Sequence, residues 1–176
     1  AALDRFLLKK PGLHWDAVPL QYLVPCDVYQ LTLRRFGQQA IHGQRLPETI
    51  LQESTELLLE HLRLMLGDRL KQAAALLFQN DPEHFVSSAQ IKIGAFGRSN
   101  ADLLHQDEIT GNLFTRVDTA IEVFKLKYLK ALISYDGLYR KERYPVPMAA
   151  LREAILNAVG HKDNARAVAI QISVYP

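Results

Sequence analysis

The chain has 176 residues, 21 basic against 19 acidic, one cysteine, 48% hydrophobic and 23% charged residues. That balance fits one domain or two very small ones and excludes disordered, collagenous and disulfide-stapled classes. A formal charge of +2 names neither a nucleic acid nor a membrane surface as partner, and Cys26 alone allows no internal disulfide and no thiolate zinc site, which fits a reducing cytoplasm.

No apolar run approaches the ~18 residues of a membrane span. The opening Ala1-Ala2-Leu3 carries no initiator methionine and no signal-peptide pattern. The final alternating run stops at Tyr175-Pro176 with no turn behind it, so a segment of a longer protein is expected. Residues 1–25 read as an irregular lead-in from an upstream domain, broken by Pro11-Gly12, Pro19 and Pro25, with a short strand expected over 20–24.

Residues 26–80 read as helical. Asp27 is a candidate N-cap for a helix through Val28, Leu31, Leu33, Phe36 and Ile41 that closes near Gly43. A second helix is expected from about Pro47, with Ile50, Leu51, Leu57, Leu58, Leu62 and Met65 inward and Glu53, Glu56 and Glu60 in water. Gly67-Asp68 is a turn, and residues 70–78 predict a third, buried helix.

Residues 81–176 read as mixed α/β. The β-branched alternation over 89–96 predicts a strand, 97–107 a polar loop, and 112–132 the longest helix, on Leu113, Val117, Ile121, Phe124, Tyr128 and Leu132. Asp136-Gly137 sits between two strand-like runs, a hairpin signal. Pro147 falls near the first turn of a further helix. A strand is expected over 167–175, where Val168, Ile170, Ile172 and Val174 alternate with Ala169, Gln171, Ser173 and Tyr175. The whole predicts an α+β fold with a helical segment first, mixed elements after, and about 40% helix.

Glu153, Asn157 and His161 fall at i, i+4 and i+8, within about an 80° arc of one helix. Met148, Leu151, Ile155 and Val159 would form its buried stripe. A carboxylate and an amide one turn apart can share a hard cation: the amide offers a neutral oxygen, and the carboxylate orients or deprotonates a water. On spacing alone, an ordinary polar stripe near a helix end is the commoner meaning of such a pattern.

The run REAILNAVGHKD followed by AIQISVYP resembles a family of bacterial transcriptional regulators labelled RecG-related ATP-dependent DNA helicases. Upstream, LKQAAALLFQNDPEHFVSSAQIKIGAF, ITGNLF and Tyr144-Pro145 resemble other segments of that family in kind and order, and His14-Trp15-Asp16 resembles the joint that follows its first domain. The family joins a Schlafen-type AlbA-like domain to a GHKL-type ATPase-like region, so the resemblance implies a partial GHKL-like region at the C-terminal end. By that resemblance Glu153 is the water-activating carboxylate of the N-box and Asn157 its magnesium ligand. His161 and Asp163 continue the pattern without an assigned role. Asn164 stands where the family has Tyr, and the chain ends before the glycine boxes that hold adenine and the lid.

The resemblance thus implies ATP and Mg²⁺ for the longer protein and no cofactor for this segment alone. It also implies DNA as a partner through other domains; a homo-oligomer stays open, and the lack of a long apolar run points to no membrane partner. The nine glycines form no G-x-x-x-x-G-K-[ST], so the chain carries no helicase motor. Two other readings stay open: an ATP-dependent enzyme of DNA metabolism whose site is completed beyond Pro176, and an interaction or dimerisation module. Glycine boxes downstream would favour the enzyme, a winged-helix array the regulator.

Weaker signals remain. Arg116, Lys125, Lys127, Lys130, Arg140, Lys141, Arg143 and Arg152 outnumber the acids of the same stretch, and Lys125, Lys127, Lys130, Arg140, Lys141 and Arg143 are candidates for weak, salt-dependent nucleic-acid contact. Residues 57–78 could be a helix–turn–helix, though the second helix is too apolar to enter a groove. Gly94-Ala95-Phe96-Gly97 has the G-x-x-G form but follows a strand, which favours a turn. Ser87-Ser88 and Cys26 lack a neighbouring base in sequence and need no catalytic role, and the six histidines show no zinc spacing.

Overall fold

The computed structural model describes residues 14–176. The fold is α+β, and the chain divides into two compact units, Ala1–Ser87 and Ser88–Pro176.

In the first unit, α1 (Gln30–His42), α2 (Thr55–His61) and α3 (Gln72–Phe78) are joined by tight turns and by a two-stranded ribbon of β1 (Met65–Leu66) and β2 (Arg69–Leu70). Trp15–Ala17 is a single 3-10 turn. The expected strand over 20–24 is replaced by an isolated bridge between Pro19 and Lys71, with Leu20 N–H donating to the Leu70 carbonyl at 2.8 Å. Asp27 does not cap α1: its carboxylate accepts the Val24 N–H at 2.9 Å and closes the 3-10 turn Pro25–Asp27, and α1 starts three residues later, behind Tyr29.

The expected second helix is two elements, the 3-10 turn Glu48–Gln52 and then α2. Glu53 is extended, and the Ser54 hydroxyl caps α2 by accepting the Leu57 N–H at 3.2 Å. Gly67 takes a φ of +62° at the β1–β2 turn, a conformation open to glycine without strain. Since β1 and β2 stand between α2 and α3, residues 57–78 do not form a helix–turn–helix. α3 is the buried helix expected there: Ala74, Ala75, Leu76 and Phe78 are inside, and Phe78 meets Phe36 edge-on with centroids 5.6 Å apart.

The second unit is built on a three-stranded sheet in the order β4 (Leu103–Ile109), β3 (Ile91–Phe96), β7 (Ile170–Val174). β4 is antiparallel and β7 parallel to β3, with Ile93 opposite Asp107 on one side and Ile172 on the other. β4 takes residues 103–107 of the expected polar loop, five of its eleven positions. It is an edge strand whose residues are exposed or half-buried except Ile109, so its sequence lacks the apolar alternation of a buried strand.

The helix expected over 112–132 is α4 (Leu113–Val123), capped by Asn112 through the Thr115 N–H at 3.0 Å, and it ends in a π turn, Phe124–Tyr128. Leu132 belongs instead to β5 (Leu132–Asp136), which pairs with β6 (Tyr139–Arg143) around Gly137 at φ +60°. α5 (Met148–Gly160) follows Pro147. Ile91, Ile93, Ile109, Val117, Ala120, Ile121, Phe124 and Ile155 form the core. Met148, Leu151, Val159, Ile170, Ile172 and Val174 pack against it, so α4 and α5 cover one face of the sheet. Burial of those side chains, at about 25 cal/mol per Å² of apolar surface, fixes which way α5 is turned.

Candidate functional site

The inward stripe of α5 sends its polar residues outward. Glu153 and Asn157 are both exposed, one turn apart, and the Asn157 side-chain N–H donates to Glu153 Oε1 at 3.1 Å. This bond fixes the amide so that its own oxygen, with Glu153 Oε2, stays available to a ligand. A neutral oxygen beside a carboxylate is a donor set of the kind Mg²⁺ accepts when phosphates and waters complete its shell. Among the described residues no group of three or more His, Cys, Asp or Glu is placed to hold a metal ion.

His161 follows the last turn of α5 as its C-cap and is exposed. Asp163 is exposed as well, accepts the Ala165 N–H at 3.1 Å and pairs with Arg166 at 3.2 Å. The His161 backbone N–H donates to the Asn157 carbonyl at 3.0 Å, which closes the helix.

The residue after His161 has a larger role than its sequence position suggests. Lys162 is half-buried, and its ammonium donates to Ser88 Oγ at 2.8 Å and Asn164 Oδ1 at 2.7 Å. Burial, with the charge of Arg116 adding to it, pushes the Lys162 pKa below its ordinary value, and Asp163 opposes the shift. Ser88 therefore has a basic partner after all, supplied from 74 positions away. With Ser88 only 1% exposed, the pair anchors the segment after α5 and offers no accessible nucleophile.

A second polar cluster forms where the π turn meets β4. Tyr128 OH lies 2.9 Å from the Ile93 carbonyl and 2.9 Å from Asp107 Oδ2. Lys127 binds the other oxygen of that carboxylate, and the His105 ring stacks on Tyr128 with centroids 5.1 Å apart. The hydrogen bond from Lys127 holds the Asp107 pKa below its ordinary value. Burial, then the neighbouring Asp107, pushes Tyr128 up to about 12. A phenol with a raised pKa is a poor base at neutral pH, so this cluster braces the turn. The sequence carried one signal of it, the alternation of His105 and Asp107.

The candidate nucleic-acid residues fall on two elements and the link between them. Lys125 and Lys127 lie on the π turn, Lys130 follows it, and Arg140, Lys141 and Arg143 lie on β6. Lys127 is held by Asp107, Arg140 pairs with Glu142 at 2.6 Å, and Lys141 pairs with Asp136 at 2.5 Å. Gly94 and Gly97 are no phosphate loop: Gly94 is inside β3, where the Phe96 ring leaves no room for a Cβ. A groove of about 460 Å³ in the first unit, lined by Gln38, Ile41, His42, Glu48, Leu51 and Gln52, contains none of the site residues expected from sequence.

The chain is similar in fold to the DIP2311 protein of Corynebacterium diphtheriae, with a TM-score of 0.64 at 18% identity. The match covers 98% of this chain and 33% of that one, so this chain spans about a third of the length of that protein. At that identity the likeness concerns the fold alone. No protein-family model matches the chain, and no curated protein does. Among the described residues, no helix is long and apolar enough to cross a membrane.

Proposed function

We propose that this chain is a segment of a cytoplasmic bacterial transcriptional regulator, the part that carries the N-box helix of a GHKL-type ATPase-like region. The observation that supports it is the exposed Glu153–Asn157 pair on α5, joined at 3.1 Å with two oxygens left for a ligand. In this reading Asn157 Oδ1 would bind the Mg²⁺ of a nucleotide, and Glu153 would orient the attacking water as general base. The metal would supply charge neutralisation at the phosphates. Adenine and lid contacts would come from other parts of the longer protein, and the 176-residue chain alone would be inactive toward ATP.

The test is made on the longer protein that includes this segment. Asn157→Ala should abolish Mg²⁺-dependent ATP binding, and Glu153→Gln should keep binding while hydrolysis falls by orders of magnitude. Unchanged ATP binding in Asn157→Ala would remove the nucleotide reading and leave an interaction module. Hydrolysis fast enough to drive DNA remodelling, lost in Glu153→Gln, would favour the enzyme of DNA metabolism over the regulator.

A further inference from the structure

Among the described residues, β5 and β6 make a two-stranded ribbon that pairs with no other strand. The pairing runs from Leu132 opposite Arg143 to Asp136 opposite Tyr139, and all ten strand residues are exposed. At the tip Leu138 is 99% exposed. An isolated two-stranded ribbon is at best marginally stable in water, so it is expected to have a partner.

The pattern of the two faces argues what kind of partner. Leu132, Ser134 and Asp136 share one face with Tyr139, Lys141 and Arg143, and Ile133 and Tyr135 share the other with Arg140 and Glu142. Neither face is apolar, whereas a ribbon meant for a protein core alternates apolar with polar. Cations sit among aromatic side chains on both faces instead.

Charge points the same way. From Leu129 to Tyr144 there are four cations (Lys130, Arg140, Lys141, Arg143) and two acids (Asp136, Glu142), a net +2 in sixteen residues that equals the charge of the whole chain. Both acids are spent on Lys141 and Arg140, in exposed pairs that contribute little and exchange readily for another anion. Neither pair involves Lys130, Arg143 or, on the preceding π turn, Lys125.

We propose that the β5–β6 ribbon enters the major groove of duplex DNA. That groove admits a two-stranded β-ribbon, and strands of five residues span about 17 Å, enough to cross it. Lys125, Lys130 and Arg143 hold phosphates, while Arg140, Lys141, Tyr135 and Tyr139 meet base edges and sugars. The proposal does not use Glu153 or Asn157 and stands whether or not the chain belongs to an ATPase.

The experiment is fluorescence anisotropy of the 176-residue chain with a labelled duplex of about two helical turns, at salt concentrations from about 50 to 200 mM. Three phosphate contacts predict a log–log salt slope of about −3. The double variant Lys130→Gln/Arg143→Gln should make that slope shallower by about two units. Lys92→Gln, which removes a cation paired with Glu108 on β4, should leave it unchanged. All these side chains are at the surface, so the variants should keep the wild-type circular dichroism spectrum. Absence of duplex binding, an equal loss in the ribbon variant and in Lys92→Gln, or tighter binding of a single strand than of the duplex would each overturn the proposal. A dimer in sedimentation that Tyr135→Ser/Leu138→Ser dissociates, without duplex binding, would assign the ribbon to a second copy instead.

Discussion

The hydroxyl of Tyr128 lies 2.9 Å from the carboxylate of Asp107, joining the end of a π turn to the edge strand β4. The phenol stays protonated up to about 12 in the folded protein, against an ordinary 10.0. Between those values the unfolded chain gives up a proton that the folded one keeps. The contribution is therefore complete below pH 10 and is lost as pH rises through about 12. Asp107 works at the other end of the scale. Its contribution is present above the ordinary 3.8 and disappears as pH falls through its lower folded value. Ultraviolet titration should show one of the seven tyrosines ionising near pH 12, absent in Tyr128→Phe. The variant should lose about 1 kcal/mol at neutral pH, as for one hydrogen bond. Ordinary ionisation of every tyrosine near 10 would refute the brace.

Ser88→Ala tests the anchor behind α5. The substitution removes a hydroxyl that accepts from the Lys162 ammonium at 2.8 Å, inside a site where burial already disfavours the charge. A loss of about 1.5–3 kcal/mol is expected in urea denaturation at pH 7, as for a hydrogen bond to a charged group. The folded pKa of Lys162 is depressed, so the unfolded chain binds more protons as pH climbs toward 10.5, and the contribution of this residue to stability rises there. Lys162→Met should flatten that rise. A change under about 0.5 kcal/mol in Ser88→Ala would place the serine outside the network.

These two clusters also mark how far the sequence could be read. The inward stripe Met148, Leu151, Ile155, Val159 was legible because burial on one helix face follows a 3.6-residue period. The exposure of Glu153 and Asn157 follows from it. Asp136-Gly137 gave the hairpin because the turn chemistry is local. β4 was not legible, since an edge strand with Leu103, Leu104, His105 and Gln106 all exposed carries no hydrophobic alternation. Nor was the end of α4 at a π turn: the apolar period continues through Tyr128 and Leu132, while the helix ends at Phe124–Tyr128, where Tyr128 bonds across to the Ile93 carbonyl. Asp27 and Ser54 show the same limit at helix starts, because both have capping chemistry and the choice depends on which N–H lies within reach. The pairing of Ser88 with Lys162 crosses 74 positions and has no local signature.

Gly94, in the central strand, is closely packed. A Cβ there would stand 2.9 Å from the Phe96 ring and 3.2 Å from a Leu103 methyl, and Phe96 is stacked on Tyr175 at 5.4 Å. Gly94→Ala must displace that ring, and overpacking of this kind costs about 1–3 kcal/mol. The double variant Gly94→Ala/Phe96→Ala should show a coupling of about 0.5 kcal/mol or more, since the clash vanishes with the ring. Strict additivity in thermal unfolding would mean that Phe96 moves aside without resistance.

Asn157 separates a structural role from a ligand-binding one. Its side chain is exposed, and its one side-chain hydrogen bond is to the exposed Glu153 carboxylate on the same helix. Such i,i+4 surface pairs stabilise a helix by about 0.2–0.5 kcal/mol, and alanine has the better helix propensity, so Asn157→Ala should change the stability of the chain by less than about 1 kcal/mol. A residue kept for the fold would cost several kcal/mol, so urea denaturation decides between the two. Calorimetric titration of the 176-residue chain with Mg²⁺-ATP should show no binding at millimolar concentration, in wild type and variant alike, because the pair supplies one cation ligand and one water-orienting carboxylate and nothing that grips a base. Tight ATP binding by the chain alone would require adenine contacts within these 176 residues and would overturn the assignment of α5 as half of a site.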